Sequence, residues 1–317
     1  MPAIETFNLE KSYALGSWRK RRVPGLKPLN LSVEEAEIFG YLGPNGAGKT
    51  TTLKLLMGLI YPTAGWARIL GMEISDPRVK SRIGFLPEQP YFYDHLTATE
   101  LLEYYAQLSG LSGRERTYRV QQSLARVGML QSARTQLRKL SKGMLQRVGI
   151  AQAVLHNPKV VFLDEPMSGL DPLGRREVRD LIQSLKDEGK TVFFSTHILS
   201  DAEALCDRVA ILHKGELRGI GTVEELTART EGKLEILFQG LEAITLLSAL
   251  GAECHVTGEM VRASIAESQQ DAALDSLRRQ GARLISLTPV RATLEDYFIE
   301  RLGEKTEEKT ERVEVGR

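Results

Sequence analysis

Cysteine is scarce: Cys206 and Cys254 are the only two in 317 residues, far apart and without a metal-ligand spacing. That excludes a disulfide framework and a thiolate zinc site, and it suits a reducing compartment with both thiols as small buried hydrophobes. Long apolar runs are missing as well. No stretch approaches the ~18 to 20 uninterrupted apolar residues of a membrane-crossing helix. The first residues include Glu5, Glu10 and Lys11 and lack the apolar core of a signal peptide. The chain is therefore expected not to span a bilayer. Charge of one sign is not in excess, because 42 Lys plus Arg against 41 Asp plus Glu leave a net +1. No global field directs the chain to nucleic acid or anionic lipid. Against these absences stand 42% hydrophobic and 26% charged residues, ordinary for a soluble protein with a proper core. The length implies one large domain with a small appendage.

Short aliphatic runs alternate with amphipathic stretches: Ile38 to Leu42 then Thr50 to Leu59, Val160 to Leu163 then Gly174 to Leu185, Thr191 to Ser195 then Asp201 to Cys206. Buried-strand runs alternating with helical periods predict an α/β fold with a parallel sheet. The pattern loosens at Gly219 to Gly221, and Thr227 to Gly232 reads as a polar linker. Beyond it the sequence predicts strand (Leu234 to Phe238), helix (Leu241 to Leu250), and two strands (Glu253 to Thr257, Val261 to Ile265) turning at Gly258-Glu259. A helix (Gln269 to Arg279) and a strand (Arg283 to Leu287) follow. That β-α-β-β-α-β order is the ferredoxin-like α+β arrangement. A helix over Thr293 to Leu302 precedes a charged tail, 303–317, expected to be disordered. The expected domains are thus 1–228 and 229–302.

Gly43-Pro44-Asn45-Gly46-Ala47-Gly48-Lys49-Thr50 meets the P-loop spacing between a strand and a helical run. Glycines let the backbone turn its amides inward around phosphates, and the helix that follows adds its positive N-terminal end. Lys49 would sit against the β- and γ-phosphates, the Thr50 hydroxyl can ligate Mg²⁺, and Thr51 would touch near the α-phosphate. Val160 to Leu163 delivers Asp164 and Glu165 at a strand's carboxyl end, where α/β sheets place ligands. Asp164 can hold the magnesium ion through water, and Glu165 can take a proton from an attacking water.

Leu140-Ser141-Lys142-Gly143-Met144, followed by Gln146-Arg147, resembles the signature motif of ATP-binding-cassette proteins. Lys142 and Met144 depart from the usual Leu-Ser-Gly-Gly-Gln, while Ser141 and Gly143 are retained. The resemblance covers roughly residues 3 to 225, and it implies a P-loop ATPase domain with an antiparallel β part and a helical subdomain at about 90–156. It assigns Ser141, Lys142, Gly143 and Met144 to a signature loop acting in trans, with Ser141 and Gly143 touching the γ-phosphate held by a partner domain. Gln89 resembles the glutamine at the magnesium and γ-phosphate site. Ser168, Gly169, Leu170 and Asp171 resemble the loop crossing the dimer interface, and His197 resembles the switch histidine on the γ-phosphate. Tyr13 resembles the adenine-stacking aromatic, with Trp18 as a rival because the insertion containing Arg19 to Arg22 displaces the usual spacing. Glu35-Ala36-Glu37 replaces the customary Pro-Gly turn.

What the resemblance implies is an ATP- and Mg²⁺-dependent ATPase subunit, closest to bacterial drug, sodium or multidrug exporters. It would work as a homodimer with a separate transmembrane permease, at the cytoplasmic face of the cell membrane, without nucleic acid. The competing class is a soluble cassette ATPase acting on ribosomes or nucleic acid. Ribosomal members typically carry two cassettes and DNA-repair members long coiled coils; only one P-loop occurs here, with about fifty residues from Gln89 to Ser141.

Overall fold

The computed structural model describes residues 1–15, 21–227, 232–289 and 293–302. Trp18, Arg19, Lys20, the core of the expected linker and the tail 303–317 lie outside the described residues. The chain divides into two compact units, Met1–Val223 and the residues from Glu224 onward.

In chain order the first unit holds β1 (Ile4–Leu15), β2 (Arg21–Val33), β3 (Ile38–Leu42), α1 (Lys49–Leu56), β4 (Ala64–Ile69), β5 (Met72–Glu73) and β6 (Ile83–Leu86). Then come α2 (Ala98–Leu108), α3 (Gly113–Arg126), α4 (Lys142–Val154), β7 (Val160–Asp164), α5 (Pro172–Asp187) and β8 (Thr191–Thr196). It ends with α6 (Leu199–Glu203), β9 (Arg208–His213) and β10 (Glu216–Gly221), with α7 (Val223–Thr227) at the junction. One sheet runs β10-β9-β3-β8-β7-β6, parallel from β9 to β6 with β10 antiparallel at its edge. The other, β2-β1-β4-β5, is antiparallel throughout.

The parallel strands are buried on both faces, as their unbroken apolar runs require. Successive side chains alternate between two cores. Phe39, Tyr41, Phe162 and Phe193 face the core shared with α1 and the antiparallel sheet. Ile38, Val161, Leu163, Val192 and Phe194 face the core shared with α2 to α5. Stacked rings, Phe39 on Phe193 at 5.6 Å between centroids, fill the first core. Because the five strands run in parallel, their carboxyl ends open on one edge, where the loops bearing function gather.

The second unit contains β11 (Lys233–Gln239), α8 (Ile244–Ala249), β12 (Glu253–Thr257), β13 (Met260–Ala266), α9 (Gln270–Arg279), β14 (Arg283–Pro289) and α10 (Leu294–Leu302). Its antiparallel sheet runs β12-β13-β11-β14. Ile236, Phe238, Val261 and Ala263 pack with Leu247 of α8 and Ala273 and Leu277 of α9 as a core of its own.

Several expectations need correction. Gly219 to Gly221 is not loose chain but the end of β10, with a register shift between Leu217 and Gly219; glycines inside a strand mark such irregularities. The helix after β3 stops at Leu56, because Gly58 turns left-handed at φ 59°. The Asp201 to Cys206 helix is instead α6, leaving Cys206 in a loop. The Leu241 to Leu250 helix splits into a 3₁₀ turn, Leu241–Ala243, and α8. Both cysteines are half-buried rather than fully buried. Among the described residues no helix is long and apolar enough to cross a membrane.

Candidate active site

The P-loop leaves the end of β3 and closes into α1 through backbone geometry that only glycine accepts freely. Gly46 has φ 78° and Gly48 has φ 108°, the left-handed region where a Cβ is penalised. At Gly48 space is also lacking, since a Cβ there would lie 2.6 Å from the Gly25 carbonyl oxygen. Three distant segments meet at this point through main chain alone. Gly215 N–H donates to the Ala47 carbonyl at 2.8 Å, and Lys27 N–H donates to the Gly215 carbonyl at 2.7 Å.

Lys49, the first residue of α1, is buried, and its Nζ donates to the Gly43 carbonyl at 2.6 Å. The same ammonium lies 3.2 Å from Glu165 Oε1, an ion pair without hydrogen-bond alignment, since Oε1 is buried with no hydrogen-bond partner. Thr50 Oγ1 donates to Asp164 Oδ2 at 3.2 Å, and Ser195 Oγ donates to Asp164 Oδ1. Strand register explains the last contact, for Asp164 and Ser195 are direct partners on β7 and β8. Burial pushes the Asp164 carboxyl above its ordinary range, opposed by the Ser195 and Thr50 hydrogen bonds. A hydroxyl and a carboxylate oxygen so close together suit a hard divalent cation, which takes few protein ligands when phosphates and water supply the rest. The described residues contain no cluster of three or more His, Cys, Asp or Glu able to hold a metal.

Glu165 adopts φ 50°, left-handed for a residue with a side chain, the kind of strain that collects at functional positions. Its amide donates to both the carbonyl and the hydroxyl of Ser195, at 3.1 and 3.2 Å. Its Oε2 meets His197 Nδ1 at 2.8 Å, and the imidazole is 42% exposed. One carboxylate thus faces the buried ammonium and an accessible imidazole together.

A cavity of about 380 Å³ opens over this floor, lined by Gly25, Pro44, Asn45, Gly46, Gly48, Lys49, Thr50, Thr51, Glu88, Asp164 and Glu165. Ala47 and Gly43, the other two loop residues, are not among its lining. Tyr13 stands at its rim, its ring against Gly25 and its hydroxyl 3.4 Å from Thr51 Oγ1. Gln89 is not brought into this cavity. It lines a neighbouring one, also about 380 Å³, with Lys142, Gln146 and Ser168; Glu88 borders both.

The signature residues also lie apart from the chain's own phosphate cavity. Ser141 caps α4, its Oγ accepting from Met144 N–H at 3.2 Å. The Lys142 side chain lies across Gly169, where φ 66° and the missing Cβ make room for its ammonium. Gly143 approaches Leu170, which is buried. Asp171 caps α5 by accepting from Gly174 N–H at 3.0 Å. The signature loop and the Ser168 to Asp171 loop are therefore neighbours within one chain. Sequence reasoning passed over the roles of Ser195, Gly25 and Glu88; Ser195 was legible as the strand residue two places before His197.

A strand, a glycine-turned loop with left-handed Gly46 and Gly48, and a helix opening on a buried lysine are the arrangement that binds a polyphosphate, so the site defines a P-loop nucleotide-binding protein. The ABC transporter family profile matches residues 26–168. An uncharacterised ABC transporter ATP-binding protein of Synechocystis sp. is 47% identical over 95% of this chain and 85% of its own. The bacitracin transport ATP-binding protein of Bacillus licheniformis is 37% identical over 95% of this chain and 97% of its own. A solved dimeric ATP-binding cassette, MJ0796 in a post-hydrolysis state bound to ADP and Pi, superposes with a TM-score of 0.63. It is 29% identical and covers 69% of this chain and 98% of its own. The chain belongs to the ABC transporter ATP-binding protein family. It is a nucleotide-binding ATPase subunit of that family.

Proposed function

We propose that this chain hydrolyses ATP between two facing copies of itself and thereby drives export through a separate transmembrane permease, docked at the cytoplasmic face of the membrane. The observation that carries this reading is that Ser141 and Gly143 lie outside the chain's own phosphate cavity, beside the Ser168 to Asp171 loop. A second copy can supply them. The transport role follows relatives named for it, the bacitracin transport ATP-binding protein among them, and the outward direction is part of the proposal.

The loop amides and Lys49 bind the phosphates, with Gly43 to Thr51 as the cradle and Tyr13 at the rim as the adenine platform. Glu165, hydrogen-bonded to His197, takes the proton of the attacking water at Oε2 or Oε1, and His197 neutralises charge on the γ-phosphate. Thr50, Asp164 and, once its loop swings from the neighbouring cavity, Gln89 would hold Mg²⁺. The ion would neutralise charge on the phosphates. The second unit reads as a ferredoxin-like α+β domain, supported by its strand order β12-β13-β11-β14. Action on ribosomes or nucleic acid is not favoured, with a net charge of +1 and relatives named for transport.

The test uses Glu165→Gln, which should lower turnover by roughly 10²- to 10⁴-fold while retaining ATP. Sedimentation velocity of this variant with saturating ATP should show doubled mass, and adding Ser141→Arg should restore the monomer. A Glu165→Gln chain that stays monomeric at saturation overturns the facing-copy arrangement; unchanged turnover removes Glu165 as the base.

A further inference from the structure

Asp201 lies on α6, four residues after His197, and nothing above uses it. It is 3% exposed, yet its Oδ2 has no hydrogen-bond partner. A buried carboxylate left without hydrogen bonds is costly, so its charge must be met by something else. Arg175 Nη1 stands 3.9 Å from Oδ2. Burial pushes the Asp201 carboxyl above its ordinary range. Arg175 and then Arg179 oppose this, while Glu165 adds to it and His197 pulls against it, so the charge is felt at both proposed reaction residues.

The two ends of this ion pair belong to different parts of the machinery. Arg175 sits in the first turn of α5, its N–H donating to the Asp171 carbonyl at 2.9 Å, and the Asp171 side chain caps the same turn at Gly174. The guanidinium is thus continuous with the Ser168 to Asp171 loop. On the other side, Ile198 N–H donates to Thr196 Oγ1 at 3.0 Å and fixes the turn from β8 into α6, carrying His197 with it. An asparagine would fill the same volume, so packing alone gives no reason to keep a charge in this place.

We propose that Asp201 is a positioning residue for ATP hydrolysis: its ion pair with Arg175 locks the His197 segment to the helix that follows the dimer-interface loop, keeping His197 on Glu165. The inference rests on the roles given to Glu165 and His197 above. It makes the loop that meets the facing copy mechanically continuous with the imidazole at the reaction centre.

The test compares the full chain with Asp201→Asn, Arg175→Gln and the double variant, measuring kcat and KM for ATP hydrolysis, ATP affinity by titration, and thermal unfolding. Each single variant should lose roughly ten- to a hundredfold in kcat, the usual cost of a small misplacement at a reaction centre. ATP affinity should hold within about twofold, and the double variant should be no worse than the weaker single. A purely structural pair would lower the melting temperature and affinity together without a selective loss of kcat. Should Asp201→Asn fail to fold, Arg175→Gln, whose side chain is 32% exposed, carries the test. A folded variant with unchanged kcat, or losses that add in the double variant, overturns the proposal. Failure of the unsubstituted chain to hydrolyse ATP overturns the functional reading and this inference with it. Hydrolysis by the unsubstituted chain, matched by Asp201→Asn, overturns the inference alone.

Discussion

Lys49 brings the loop and the Glu165 carboxylate to one atom, and its replacement isolates what the loop contributes alone. Lys49→Ala should weaken ATP binding by roughly ten- to a hundredfold, the worth of a charge-assisted hydrogen bond of about 1.5–3 kcal/mol. Calorimetric titration checks this, and unaltered affinity would remove Lys49 from the cradle. Ala36 presents the opposite case, a residue that costs stability. It holds φ 57°, the left-handed conformation for which the family's customary glycine is suited. Ala36→Gly should therefore raise the urea midpoint, with a net gain of about 0.5–1 kcal/mol after the entropy of the added glycine is subtracted. A lower midpoint would show that the turn relaxes without strain. At this scale the P-loop and the Asp164-Glu165 pair were legible because their chemistry is contiguous in sequence. The spacing of Ser195 and Asp201 to His197 is visible in the chain, but the pairing of Ser195 with Asp164 and of Asp201 with Arg175 was not legible, because strand register and α5 packing make those contacts.

Helix starts carry the loops that matter, so capping is where element stability and site geometry coincide. Asp171→Ala removes the side-chain acceptor at Gly174 and should cost about 1 kcal/mol of stability, read by denaturant unfolding. A loss near zero would mean that Pro172 at the first turn suffices. The central strands were readable almost to the residue, because burial on both faces leaves an unbroken apolar run. By contrast β1 and β2 did not declare themselves; their pairing shifts register three times between Thr6 and Ser12, which breaks the alternation that a sequence would display. Only the family resemblance implied an antiparallel part. In the second unit, β11 alternates cleanly between buried and half-buried positions, and its strand was legible for that reason.

The molecule as a whole divides into two bodies, each with a core of its own. A chain ending at Thr227 should fold and bind ATP within about threefold of the full-length affinity, as expected of a self-sufficient domain. Titration of the truncated protein decides it, and loss of folding would show that the second body completes the first. The junction of Gly48, Gly25 and Gly215 sets a limit on motion inside the larger body. Two main-chain hydrogen bonds tie β2 of the antiparallel sheet, the turn between β9 and β10 of the other sheet, and the phosphate loop to one another there. The helices α2 to α4 leave and rejoin the parallel sheet through residues 87–97 and 155–159, and they also pack on it in one core, α4 against β6. The signature loop, which caps α4 at Ser141, is thereby anchored to the same core that holds the strands whose ends carry Asp164 and Glu165.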